Sequence, residues 1–79
     1  MNQKTMEAII ASPPERDDLV VQLFLKEGGQ WGEIFKEAGH WWLELYPAAD
    51  REAWRLDLVE VQSLIELAFK ELRHRLGDS

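Results

Sequence analysis

The stretch Asp57–Gly77, DLVEVQSLIELAFKELRHRLG, decides how this chain is built. Within it Val61, Leu64, Ile65, Ala68, Leu72 and Leu76 recur at three- and four-residue spacings, which puts them on one stripe of an α-helix. Glu60, Gln62, Glu66, Lys70, Arg73 and His74 lie mostly off that stripe. Asp57 and Glu60 have the spacing of a capping box, in which the aspartate accepts from the amide three residues on and the glutamate reaches back to the cap amide. Acidic residues at the start and Arg73, His74 and Arg75 at the end suit the two poles of the helix dipole. Gly77 can supply the left-handed residue that closes the last turn. The pattern predicts a helix over 58–76. Just before it, Ala48–Leu56 can be read as a loop with a short fifth strand over 52–56, or as a helix opening at Asp50; the capping pair favours Asp57.

A helix with one apolar stripe needs a surface to cover. Upstream, Leu19–Lys26 (LVVQLFLK) is rich in β-branched and aromatic residues and ends at Gly28-Gly29, which can take the positive φ of a hairpin turn. Trp31–Glu37 and His40–Tyr46 read as two further strands joined at Ala38-Gly39, and Pro47 ends the last. Glu7–Ala11 is a short apolar edge strand that stops at Ser12-Pro13-Pro14, with the polar stretch Glu15–Asp18 completing the loop. The expected fold is therefore α+β: a β-meander of four to five strands, about 7–11, 19–26, 31–37, 40–46 and the candidate 52–56, packed on one C-terminal helix. With 79 residues there is room for one hydrophobic core and one domain, with residues 1–5 and 78–79 expected to be disordered.

Strand alternation divides the sheet into two faces. Leu19, Val21, Leu23 and Leu25, with Ile34 and then Trp41, Leu43 and Leu45, form the expected floor for the helix. The opposite parity carries Val20, Gln22, Phe24 and Lys26, then Trp31, Glu33, Phe35 and Glu37, then His40, Trp42, Glu44 and Tyr46. Strict alternation thus gathers Phe24, Trp31, Phe35, Trp42 and Tyr46 into an aromatic group on the face that a single helix leaves open. Trp and Tyr are enriched at the energetic centres of protein interfaces, so these five are the candidate partner-binding residues. The competing reading folds the Pro13-Pro14 loop, the Ala48–Ala53 loop and long side chains over the rings as a second small core. A symmetric homodimer would satisfy both.

Composition narrows the chemistry. Nine Lys and Arg against fifteen Asp and Glu give a net charge of −6, which repels a phosphate backbone and disfavours direct nucleic-acid binding. An acidic mimic of nucleic acid would need carboxylates gathered on one face, and Lys26, Lys36, Arg51 and Arg55 interrupt them. No apolar run approaches a membrane span, and the polar Met1–Thr5 is not a signal core, so a cytoplasmic protein is expected. With no cysteine and only His40 and His74, neither a thiolate nor a clustered histidine site is expected, and no metal or cofactor. Ser12, Ser63 and Ser79 sit in no nucleophile motif, and the glycines join strands rather than opening a helix, so catalysis is not expected.

The order of hairpins followed by one acidic amphipathic helix resembles, over about residues 19–76, the partially RNase H-like domain of HicB antitoxins. Pro47–Trp54 stands where that family has a glycine- and proline-rich segment, and no functional residue carries over. The leading expectation is a non-catalytic interaction module of antitoxin, immunity-protein or accessory-subunit type that binds a protein partner or itself. The alternative is a small-ligand binder or minor enzyme with a pocket between helix and sheet, Trp54 and Tyr46 at its mouth.

Overall fold

In chain order the protein forms β1 (Met6–Ala11), β2 (Val20–Leu25), β3 (Gly29–Glu37), β4 (His40–Leu45) and α1 (Leu58–Arg75). The computed structural model describes residues 5–49 and 52–77. The strands make one antiparallel meander in the order β1-β2-β3-β4, and the helix packs on one face, an α+β arrangement. Residues 52–56 form bends and open loop rather than a fifth strand. Asp50 lies outside the described residues, as do the expected disordered positions 1–4, 78 and 79.

Both tight turns have a local cause. At the β2–β3 connection Gly28 N donates to Leu25 O at 3.3 Å and Gly29 takes φ 85°. Glu37 pairs with His40 around a two-residue turn in which Ala38 has φ 53° and Gly39 φ 79°. Two successive positive φ angles match the twist of the flanking strands, and Ala38 adopts the left-handed region against its Cβ.

The helix starts as its cap dictates: Asp57 Oδ1 accepts from Glu60 N at 3.0 Å. The other half of the capping box goes elsewhere. Glu60 accepts from Thr5 N and Thr5 Oγ1, both at 2.8 Å, and from Met6 N at 2.9 Å, so one carboxylate ties the start of β1 to the first turn of α1. Thr5, expected in a disordered tail, is held by this contact. At the far end Gly77, φ 75°, donates to His74 O at 3.1 Å and closes the helix.

All six residues of the apolar stripe face the sheet: Ala68 and Leu72 are buried, and Val61, Leu64, Ile65 and Leu76 pack around them. Below them lie Met6, Val21, Leu23 and Ile34, flanked by Ile10, Leu19, Leu25 and Trp41. The helix rests mainly on β1 and β2, and it reaches β4 where Trp41 meets Phe69 edge-to-face at 5.0 Å. Leu43 and Leu45, expected in the helix floor, are therefore 45% and 65% exposed. A single helix is about 10 Å across while four strands span roughly 15 Å, so one outer strand must go partly uncovered.

A second departure sits in β3. Leu23 pairs with Gly32 but the next residue, Phe24, pairs with Gln30, so Trp31 is an extra residue with no partner on β2. This is a β-bulge, and it rotates Trp31 out of strict alternation. Trp31 is 1% exposed and belongs to the helix-side core, not to the open aromatic face. Gly32 beside it suits the tight space, because a Cβ there would stand 3.0 Å from the Glu44 carbonyl oxygen.

Candidate functional site

The face of the sheet turned away from the helix carries Ala11 opposite Val20, Glu7–Phe24–Gln30, Ile9–Gln22–Glu33–Glu44 across all four strands, Phe35 opposite Trp42 and Glu37 opposite His40. Glu33 and Glu44 are thus cross-strand neighbours of like charge, an arrangement that costs stability unless a cation lies between them. The β1–β2 loop supplies it. Arg16 donates through Nε to Glu33 Oε1 at 2.9 Å, and its terminal nitrogens lie 2.8 Å from Glu33 Oε1, 3.3 Å from Glu44 Oε1 and 3.5 Å from Glu37 Oε2. The same guanidinium stacks over Phe35, 3.5 Å from its ring centroid. Burial works against the charge on Arg16, but the Glu33 hydrogen bond and the charges of Glu33, Glu44 and Glu37 outweigh it and raise its pKa above the usual value.

The five aromatic candidates therefore divide. Trp31 lies in the opposite core. Phe35 is on the expected face but buried, beneath Arg16. Phe24 and Tyr46 are half-buried, and Trp42 is 51% exposed. Among the described residues Arg16, from a proline-braked loop, lies over Phe35, so this face is partly a second small core and partly open along β4. Arg16 was not singled out by sequence reasoning. The signal lay in the register, since Glu33 opposite Glu44 calls for a cation, and Arg16 is the basic residue of the adjoining β1–β2 loop.

Around Trp42 the surroundings are polar. Its indole N–H donates to Glu37 O at 3.4 Å, and the His40 ring stands edge-on at 6.3 Å. Burial, reinforced by the charges of Glu33 and Glu44, raises the pKa of the Tyr46 phenol. On the helix side Trp54 Nε1 donates to Tyr46 O at 2.7 Å, which braces the residues leaving β4. A groove of about 190 Å³ lies beside Arg16, lined among others by Asp17, Asp18, Phe35, Lys36 and Glu37. It is smaller than the usual 300–1,000 Å³ of a ligand pocket. Among the described residues no three His, Cys, Asp or Glu side chains are grouped to hold a metal ion, and no helix is long and apolar enough to cross a membrane.

β4 is an edge of the sheet. Tyr46 N donates to Trp31 O at 3.1 Å. Hydrogen-bonding direction alternates along a strand, so Trp42 and Glu44 point their backbone groups at β3, while those of Trp41, Leu43 and Leu45 point away from the sheet.

Compared with known proteins, the chain matches no family model, no curated protein and no solved structure.

Proposed function

We propose that this chain is a non-catalytic protein-interaction module whose contact surface is β4 and the face beside it. The observation that carries this reading is the exposed indole of Trp42 on an edge strand. Trp42 is the apolar anchor, Tyr46 and, farther across the sheet, Phe24 extend the contact, and Glu37 and Glu44 form a charged rim. Phe35 serves as the platform under Arg16 rather than as a contact, and Trp31 takes no part. A large rigid side chain surrounded by carboxylates suits a protein partner that brings an apolar pocket or segment and complementary charge.

The test is affinity capture with the wild-type chain and Trp42→Ala under the same conditions, with thermal unfolding of both recorded. A retained protein that is lost on Trp42→Ala, at unchanged stability, supports the reading; an interface anchor is worth about 2 kcal/mol or more, roughly thirtyfold in affinity. Equal capture by both chains would remove Trp42 from the site.

A further inference from the structure

Among the described residues, the backbone groups of Trp41, Leu43 and Leu45 on the outer edge of β4 have no strand partner. The same residues carry apolar side chains, and Leu43 and Leu45 are 45% and 65% exposed. Soluble proteins usually blunt such an edge with charged side chains, proline or a bulge; β4 (HWWLEL) has neither proline nor lysine, and its one acidic residue, Glu44, is at a position whose backbone faces β3. We infer that β4 pairs with β4 of a second copy of this chain, antiparallel about a two-fold axis at Trp42, to make one continuous eight-stranded sheet. The inference rests on β4 being the contact element, as proposed above, and goes further by naming its occupant.

The side chains fix this register against the nearest alternative. In an antiparallel pair centred on Trp42, each residue meets the one equally distant on the other side. Trp41 and Leu43 of the partner copy then share a rung on the helix side, Trp42 meets its own equivalent, and His40 lies opposite Glu44. Apolar meets apolar, ring meets ring, and an imidazole donor meets a carboxylate acceptor. Glu44 is free to serve, because its contact with Arg16 is through Oε1 and half of its side chain is exposed. Centring on Leu43 instead would set Trp42 against Glu44, an indole against a charge. The Trp42 register is also sound for the backbone: the outward groups of Trp41 and Leu43 make about four interstrand hydrogen bonds, in the repeating isologous pattern of a two-fold interface. The charge of −6 on each copy opposes association at long range, and physiological salt screens it beyond about 8 Å.

The absence of cysteine makes the register directly testable. In the Trp42-centred pair the two copies of residue 42 form a non-hydrogen-bonded rung with Cα atoms about 4.5 Å apart, within reach of a disulfide. Wild-type chain would be weighed by sedimentation across a concentration series alongside Leu43→Lys, and Trp42→Cys would be oxidised in air alongside Ile9→Cys, a half-exposed control at the opposite edge. The inference expects a wild-type dimer, at least tenfold weaker association for Leu43→Lys with unchanged unfolding, and disulfide formation by Trp42→Cys well ahead of Ile9→Cys. A wild-type monomer at every concentration overturns it, as does a dimer indifferent to Leu43→Lys or cross-linking no faster at residue 42 than at residue 9. Those failures leave the broader interaction reading standing if Trp42→Ala still loses a captured protein; if capture is also unchanged, both fall.

Discussion

Glu33 stands directly across β3–β4 from Glu44 on the same face of the sheet, and the two carboxylates are held together by Arg16, which bonds to both. The Glu33 side chain is 4% exposed, so without Arg16 its charge would be buried with no counter-ion. Arg16→Ala is expected to destabilise the fold by about 2–3 kcal/mol, below the 3–5 of a fully buried pair because the guanidinium keeps some contact with water. Adding Glu33→Gln should recover part of the loss, since it removes the stranded charge. Urea unfolding of the single and double variants checks this; a cost under about 0.5 kcal/mol for Arg16→Ala would show that the latch is ornamental to stability.

Trp31 and Trp42 look alike in the sequence and sit in opposite environments. Trp31→Ala removes a fully enclosed indole beneath the helix and should cost about 3–5 kcal/mol, enough to unfold much of the population of so small a domain. Trp42→Ala, at a half-exposed site, should cost less than about 1 kcal/mol. Thermal unfolding by circular dichroism separates the two, and a reversed order would put the bulge in the wrong place.

These two residues also show where sequence reading reached and where it stopped. The helix, its start at Asp57, the strand order and the stripe from Val61 to Leu76 were legible because each follows from local periodicity or a cap. Trp31 was not, because one inserted residue reverses the facing of its neighbourhood; the glycine at position 32, inside an otherwise good strand, was the available hint. The exposure of Leu43 and Leu45 depends on where a helix settles across a sheet, which no alternation pattern encodes. The cover over Phe35 comes from a loop residue in long-range contact, so the open face proved smaller than strand parity implied.

Ala38 holds φ 53° in the first position of the β3–β4 turn, where its Cβ is a liability. Ala38→Gly should stabilise the protein by about 0.5–1 kcal/mol, the relief of left-handed strain exceeding the added freedom of the unfolded chain. Ala38→Val should act in the opposite direction. Melting temperatures of the three chains give the order, and a destabilised glycine variant would contradict the turn geometry.

Glu60 accepts three hydrogen bonds that join Thr5 and Met6 to the helix. Glu60→Ala should lower stability by about 1–2 kcal/mol, as charge-assisted bonds to a partly buried carboxylate are lost. The Met6 amide should then exchange its hydrogen faster, while amides at the centre of β2–β3 change only with global stability. Glu60→Gln, which keeps one acceptor oxygen, should fall between. Equal protection of Met6 in all three chains would mean that β1 pairing alone holds the strand start.

Tyr46 is the one tyrosine in the sequence, so the tyrosinate absorbance band reports it alone. Burial first, then the charges of Glu33 and Glu44, raise its pKa above the ordinary value of about 10, with Arg16 acting in the opposite sense. The folded state therefore favours the neutral phenol. Its contribution to stability is complete below the unfolded pKa and is lost as pH rises through the higher folded value, because the unfolded chain ionises first. Alkaline titration of the native protein should show a midpoint above that of the same chain in denaturant, and Glu44→Gln should bring it down. Coincident midpoints in the native and denatured chains would mean that the phenol is solvated, and would remove Tyr46 from the packed margin of the β4 face.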